Sequence, residues 1–315
     1  MGNPWFIKRD ECPACASGNC KTIYQAEYDK PPIKDYLTAF YLPQGVVEFE
    51  YLEGATYMLV ECSSCGMIFQ KYIPNEFLMA KLYDQWIDSQ KAFSSNRYGK
   101  GLGYYAGYAQ EIMQLIAYFG ENPSALSFLD FGMGWGNWAL MAKAFGCDSV
   151  GLELSKERIE NAKLNAIKVI AWDEITRHRF DFINTEQVFE HIPEPLQTLR
   201  YLKSSLKKDG MIKISVPSAN DINRRLKIMD WQAQKGARNC LNAVAPLEHI
   251  NCFRRTSLVV MANKAGMEEV IIPIKLQYRY STDWSSAGKI VRNILRPIYR
   301  NILEKQNYLF FRNIQ

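Results

Sequence analysis

Phe128-Leu129-Asp130-Phe131-Gly132-Met133-Gly134-Trp135-Gly136-Asn137 is the stretch whose reading decides the fold. Residues 125–131 form an apolar run that reads as a buried strand, and 138–145 read as a helix. The glycines lie between them. At a strand-to-helix turn of an α/β sheet a ligand approaches the backbone, and a Cβ at the turn would hold it off. The spacing is Gly-x-Gly-x-Gly. A dinucleotide loop needs its third glycine one place later, where Asn137 stands, so NAD and FAD are disfavoured. Glu153 ends the next expected strand and can accept hydrogen bonds from both hydroxyls of a ribose. Asp130, just before the loop, is a candidate for a ligand's amino group, directly or through water.

Outward from the loop, strands and helices alternate. Strands are expected at 149–154, 167–171, 180–184 and 211–216, with helices at 156–164 and 195–206. Lys208-Asp209-Gly210 reads as a turn before the fifth strand. Such alternation predicts a parallel sheet with helices on both faces. Beyond Pro217 the pattern breaks into a polar, basic insertion at 218–248. A helix at 256–265, a strand at 269–276, a basic amphipathic helix at 284–305 and a last strand at 308–312 follow. Upstream, 97–124 reads as a helical lead-in, with Ile112, Leu115, Ile116 and Phe119 at helical spacing. Val46–Tyr51 and Tyr57–Val60 read as short strands of a separate amino-terminal module, residues 1–80; residues 81–315 form the main domain.

That module holds two C-x-x-C pairs, Cys12/Cys15 and Cys62/Cys65. Each pair supplies two thiolates from one tight turn, and four together suit tetrahedral zinc. A full thiolate set leaves no open position, so the expected zinc is structural. Cys20 is a spare thiol that could compete, and Cys147, Cys240 and Cys252 read as packing residues.

The loop and Glu153 resemble class I S-adenosylmethionine-dependent methyltransferases, and the resemblance runs in order from about residue 97 to 280. Val150-Gly151-Leu152-Glu153-Leu154-Ser155 resembles the family's second-strand motif. Phe180-Asp181-Phe182-Ile183 with Gln187-Val188-Phe189-Glu190-His191-Ile192-Pro193 resembles its fourth strand and following loop. Leu206-Lys207-Lys208-Asp209-Gly210 and Leu247-Glu248-His249-Ile250-Asn251-Cys252-Phe253 resemble two later motifs. The resemblance implies a Rossmann-like seven-stranded methyltransferase sheet, with a small zinc-ribbon-like module before it. It places S-adenosylmethionine against Gly132, Gly134, Gly136 and Glu153, its adenine near Trp172 and Asp173, and its methionine end near Glu186 and Gln187. An aromatic from the lead-in helix, Tyr105 among Tyr104 and Tyr108, closes over the cofactor. The cysteine pairs, with Cys65-Gly66-Met67-Ile68-Phe69 and Leu82-Tyr83, resemble a bacterial subgroup acting on sugars, polysaccharide precursors and secondary metabolites.

If the acceptor is a hydroxyl or a carbon acid, a base is needed, and histidine titrates in the right range. Of three histidines, His191 follows the fourth strand and His249 follows the insertion; both are candidates, while His178 reads as solvated. Arg224, Arg225, Lys227, Lys235 and Arg238, with Trp231, give the insertion a grip on an anionic or nucleotide-linked small-molecule acceptor, or make it a solvated lid. In the tail, Ile290, Ile294, Ile298 and Ile302 form a stripe expected to pack on the sheet, with a membrane-surface or dimer contact as the second reading. The 315 residues carry a formal net charge of only +5, and no dense basic-aromatic run marks residues 1–80. Nucleic acid is therefore disfavoured as a partner, which leaves an RNA methyltransferase as the second reading and a non-catalytic scaffold as the third. No apolar stretch reaches the roughly 20 residues a membrane span needs, and no signal peptide is read, so the expected location is cytoplasmic.

Overall fold

Strand formation in the glycine-loop half follows the apolar runs closely. The computed structural model describes residues 3–43, 45–87, 100–281, 284, 286–301 and 308–314. The chain divides into two compact units. One is Met1–Phe93, Phe189–Leu196 and Val216–Lys264; the other is Ser94–Val188, Gln197–Ser215 and Ala265–Gln315.

The second unit is the expected α/β fold. Its sheet has seven strands: β1 (Ser127–Phe131), β2 (Asp148–Leu152), β3 (Lys168–Val169), β4 (Phe180–Glu186), β5 (Leu206–Ser215), β6 (Met267–Val270) and β7 (Tyr308–Asn313). Their spatial order is β6-β7-β5-β4-β1-β2-β3. β7 is antiparallel to both neighbours, and the other pairings are parallel. Parallel strands are buried on both faces, which is why β1 and β4 read as continuous apolar runs. Trp138, on the helix Asn137–Ala144, stacks on Phe182 at 5.7 Å, and Phe128 meets Phe182 edge-on at the same distance. Ile112 and Leu115 of the helix Leu102–Phe119 complete that core.

Three local expectations in this unit differ from what forms. The turn at Lys208-Asp209-Gly210 is instead part of β5, whose register against β4 shifts between Leu206 and Met211. The strand expected at 269–276 ends at Val270, and a short helix, Ile274–Arg279, begins after Pro273. Proline offers no N–H to a ladder and fixes φ for a helical start. The tail helix forms at Ala287–Asn301, but its isoleucine face is exposed instead of lying on the sheet; Ile302 lies outside the described residues, as do parts of 97–124 and 284–305.

The first unit is built on an antiparallel sheet in which Asn251–Cys252 pairs with Ile68–Gln70, then Thr56–Cys62, then Cys20–Glu27. The 218–248 insertion folds within this unit. Trp231 is buried there, edge-on to Tyr57 at 5.8 Å and Tyr36 at 5.6 Å. Buried Arg9 donates to the carbonyls of Gln70 and Ile250 and to Oδ1 of Asn251 at 2.6–3.0 Å. One guanidinium thus ties the first residues of the chain to residues 250–251. The strand expected at 46–51 is a 3₁₀ turn, Phe49–Tyr51, preceded by Glu48, whose carboxylate accepts from Lys81 and Trp86.

Candidate functional site

In the sheet unit, Gly132, Gly134 and Gly136 all adopt the left-handed backbone that favours glycine, with φ of 69°, 54° and 75°. Two of them are needed for packing. A Cβ on Gly132 would stand 2.6 Å from Val188 Cγ2, and one on Gly136 2.6 Å from Ile167 Cδ1. Gly134 differs: no heavy atom lies within 4 Å of where its Cβ would be. It presents bare backbone to open space, as a ligand-cradling loop requires. Its N–H donates to Glu153 Oε2 at 2.9 Å, while Glu153 Oε1 accepts from Leu154 and Ser155 N–H at 2.9 and 3.1 Å. The carboxylate is thereby fixed beside the loop, with the Arg158 guanidinium 3.6 Å away. A pinned acid next to a glycine turn at the carboxyl end of β2 fits a ribose.

Glu186 ends β4 and is held by a buried charge network that no local pattern announces. Lys213, fully buried in β5, donates to Glu186 Oε2 at 3.0 Å and to Glu111 Oε1 at 2.8 Å. Trp138 Nε1 donates to the same Glu111 oxygen at 2.8 Å, and the Tyr308 hydroxyl donates to the other. Burial opposes ionisation of Glu111, yet the Lys213 charge and these donors hold its pKa below the usual value. Tyr108 donates to Glu186 Oε1 at 3.3 Å and bonds Tyr104 at 2.8 Å. Of the lead-in tyrosines it is Tyr108 that reaches Glu186, while Tyr105 packs edge-on to Tyr104. Lys213 in the apolar run Met211-Ile212-Lys213-Ile214 marks a buried cation, but nothing local names its partners.

The remaining candidates of this unit sit as follows. Asp130 is buried, accepts from Asn184 Nδ2 at 2.7 Å and from Ala139 N–H at 3.2 Å, and so braces β1, β4 and the helix after the loop. Burial pushes its carboxyl up to about 7. Trp172 is exposed and stacks on Tyr201 at 4.9 Å, with Phe131 at 5.7 Å. Asp173 is exposed beside Arg177. Gln187 has a left-handed backbone (φ 56°), fixed by its N–H to Ser215 O at 2.7 Å.

The other unit carries two clusters. Cys12, Cys15, Cys62 and Cys65 are all buried, with their sulfurs within 4.8 Å of one another. Cys12 lies 3.6 Å from Cys65, and Cys15 3.6 Å from Cys62. A tetrahedron with metal–sulfur bonds of about 2.3 Å has edges of about 3.8 Å, so the set fits a tetrahedral ion. Against the cost of burial, the N–H groups of Cys65 and Ser64 pull the Cys62 thiol down to about 7, which favours the thiolate. Cys20 points elsewhere, to Ser17 O at 3.6 Å.

The second cluster is Glu190, His191 and His249, whose ligand-type atoms also lie within 4.8 Å. The two imidazoles meet at 4.9 Å between centroids. His191 Nδ1 faces Glu248 O at 2.9 Å and the Tyr83 hydroxyl at 3.2 Å, and His249 Nδ1 faces Asn242 O. A ring nitrogen facing a carbonyl carries the proton, so in both rings the lone pair is on Nε2. Glu190 is fully buried, and neither of its carboxylate oxygens has a hydrogen-bond partner among the described residues. Burial pushes it up to about 8, against its own backbone amide and the charge of Lys235. In the insertion, Arg224 and Arg225 bond the local groups of Arg238, Asn239 and Cys240, so those two cations brace the segment's own backbone.

A family model described as a methyltransferase domain matches residues 104–271, more than half of the 315-residue chain. The ubiquinone biosynthesis O-methyltransferase of Aliivibrio fischeri (strain MJ11) is 28% identical over 192 residues, covering 56% of this chain and 79% of that protein. Its namesake in Vibrio cholerae serotype O1 (strain M66-2) is 27% identical over 176 residues, covering 52% and 69%. Among solved structures, the plantazolicin methyltransferase BpumL in complex with SAH aligns with a TM-score of 0.47 at 15% identity, covering 75% of this chain and 94% of that one. With the glycine turn and Glu153 in place and more than half of the chain matched, the chain belongs to the methyltransferase-domain family, as a class I S-adenosylmethionine-dependent methyltransferase.

Proposed function

We propose that the methyl acceptor is a small molecule with a hydroxyl or an acidic carbon, of the nucleotide-sugar, polysaccharide-precursor or secondary-metabolite class, and that His191 takes its proton. The relatives' printed activity, O-methylation in ubiquinone biosynthesis, supports oxygen as the atom methylated. S-adenosylmethionine, when bound, supplies a methyl group made electrophilic by its sulfonium. The chain's own residues then bind and orient. Glu153 takes the ribose hydroxyls, and Gly134 offers bare backbone beside it. Trp172 flanks the adenine, and Glu186, steadied by Lys213 and Tyr108, receives the methionine end with Gln187.

The observation that carries the choice of base is the unequal setting of the two histidines. A general base works best with a pKa near the operating pH. Burial, with the neighbouring His191, pushes His249 down to about 3, so it stays neutral and takes a proton poorly. His191 is partly exposed, and its Nε2 lies 3.9 Å from the Glu190 carboxyl. Glu190 holds its own proton at neutral pH, so an uncharged carboxyl stands beside the resting His191 ring, and a positive charge on that ring would favour its ionised form. His249 then acts as a positioning residue, holding the His191 ring. The four thiolates would hold a zinc with no position left open, which would make its role structural.

The test is calorimetric titration of S-adenosylhomocysteine, with radiolabelled methyl transfer to a panel of phenols and nucleotide sugars. Wild-type protein is expected to bind stoichiometrically, and Glu153→Ala to lose that binding. His191→Gln is expected to bind as wild type while turnover falls by about 10²- to 10⁴-fold. Unchanged turnover removes His191 as the base.

A further inference from the structure

In the cysteine unit, Glu190 is a buried carboxyl whose two oxygens have no hydrogen-bond partner among the described residues. Such a group is costly in either protonation state. A carboxylate leaves its charge uncompensated, and a carboxylic acid leaves a donor unused. A buried polar side chain in this position calls for a partner that the polypeptide does not supply. Two imidazoles stand in front of it. His191 Nε2 lies 3.9 Å from Glu190 Oε1, and ligand-type atoms of Glu190, His191 and His249 are within 4.8 Å of one another.

Both rings are oriented as metal ligands are. His191 Nδ1 donates to Glu248 O at 2.9 Å, and His249 Nδ1 donates to Asn242 O. A metal-binding histidine is almost always fixed in this way, one nitrogen donating to a carbonyl or carboxylate while the other turns its lone pair to the ion. Glu190 and His191 share the short turn Phe189–His191, His249 follows the insertion, and both segments belong to the same compact unit. The donors decide which ion fits. Two neutral imidazoles with one carboxylate suit zinc, cobalt(II) or nickel(II), whereas magnesium and calcium prefer oxygen alone. Bonds of about 2.1 Å set tetrahedral neighbours about 3.4 Å apart. The 3.9 Å pair therefore needs only a small side-chain rotation to close on an ion. Lys235, whose charge reaches Glu190 and His249, is exposed, so water screens it.

We propose that Glu190, His191 and His249 form a second metal site, separate from the four cysteines, which binds a divalent cation of the zinc class through a carboxylate oxygen and two Nε2 atoms. Three protein ligands leave that ion an open position for water, unlike the closed thiolate set. The metal and the proton need the same lone pair on His191, so an occupied site silences the base; this consequence rests on the role given to His191 above.

Metal counting on the full-length protein tests the site. In a slight excess of zinc, wild-type protein is expected to hold two equivalents. Glu190→Gln and His249→Gln are each expected to hold one, with the second weakened at least about 100-fold. The equivalent retained at the cysteines, with S-adenosylhomocysteine binding, shows that each variant is folded. Cobalt(II) tells the two sites apart, because thiolate ligands add charge-transfer absorption that nitrogen and oxygen ligands do not; the variants should lose only the spectrum of the second kind. A wild-type count of one equivalent overturns the site, as does a second equivalent that survives both variants. Radiolabelled methyl transfer reads the consequence. Turnover is expected to fall as the second equivalent fills and to return when a mild chelator removes it, the thiolate-bound ion staying in place. Full turnover at two equivalents overturns the silencing. The choice of base fails separately, through unchanged turnover of His191→Gln in protein holding one equivalent, and the metal count then still decides the site.

Discussion

Glu111 in the sheet unit and Glu190 in the cysteine unit are both buried carboxyl groups, and their surroundings drive them in opposite directions. Glu111 meets a lysine, an indole N–H and a tyrosine hydroxyl, and its pKa falls below the ordinary value. Glu190 meets no hydrogen-bond partner among the described residues, and its pKa rises to about 8. Burial is common to both, so the partners set the sign. The first arrangement keeps a permanent charge in place and steadies Glu186 through the shared Lys213. The second keeps a proton in reserve beside an imidazole, which suits a group that ionises when its neighbour takes up charge. One unit spends its buried acid on rigidity and the other keeps its acid available for proton movement.

The sharpest way to break this contrast is to remove the lysine. Lys213→Met leaves Glu111 and Glu186 without their common cation in a buried setting. Loss of one member of a buried pair costs about 3–5 kcal/mol. Denaturant unfolding should show a loss of that size, and S-adenosylhomocysteine affinity should fall because Glu186 loses its hold. A loss under about 1 kcal/mol would mean that Glu111 takes up a proton at little cost, and the contrast with Glu190 would collapse.

Glu190 should show the opposite dependence on pH. Its pKa is about 8 in the folded protein against an ordinary value of 4.5. Between those values the folded state holds more protons than the unfolded one, so stability falls as pH rises. The contribution is fully present below 4.5 and is lost as pH passes through about 8. Glutamine cannot ionise, so Glu190→Gln should gain on wild type by about 1.4 kcal/mol per pH unit in this window. From pH 4.5 to 7 the gain amounts to roughly 3 kcal/mol. Unfolding curves of both proteins across that range would show parallel stabilities if Glu190 were ionised and paired in the native state.

What the sequence disclosed follows the same division between local and distant causes. Gly132, Gly134, Gly136 and Glu153 are legible because a glycine turn and the acid after the next strand are local requirements of a ligand-binding α/β edge. The cysteines are legible because each C-x-x-C is one turn, and the structure brings all four sulfurs together. The Lys213 pairing is not legible, because its partner Glu111 lies 102 residues away and nothing near either residue marks it. Trp231 looked like part of a substrate grip, since its neighbours in sequence are polar and basic. Its neighbours in space are Tyr24, Tyr36 and Tyr57, which only tertiary packing could reveal. Amphipathicity of the tail helix was readable from its period, but period does not say which face meets the protein, and here the polar edge does.

The smallest expected effect refines the paired side of the contrast. The Tyr308 hydroxyl donates to Glu111 Oε2, while Lys213 and Trp138 both serve Oε1. Tyr308→Phe therefore leaves the lysine pair intact and removes a donor from the other oxygen. A hydrogen bond to a charged group is worth about 1.5–3 kcal/mol, and with Lys213 still compensating the charge the lower end is expected, about 1.5 kcal/mol. Its pH dependence is the mirror of the Glu190 case. The pKa of Glu111 is depressed in the folded state, so its stabilisation is present above 4.5 and disappears as pH falls through the folded value. The Tyr308→Phe defect should then be full at neutral pH and fade in acid, whereas the advantage of Glu190→Gln grows towards neutral pH. A Tyr308→Phe defect that stays constant down to the acid limit would mean that the hydroxyl supports packing alone and that Lys213 by itself keeps Glu111 charged.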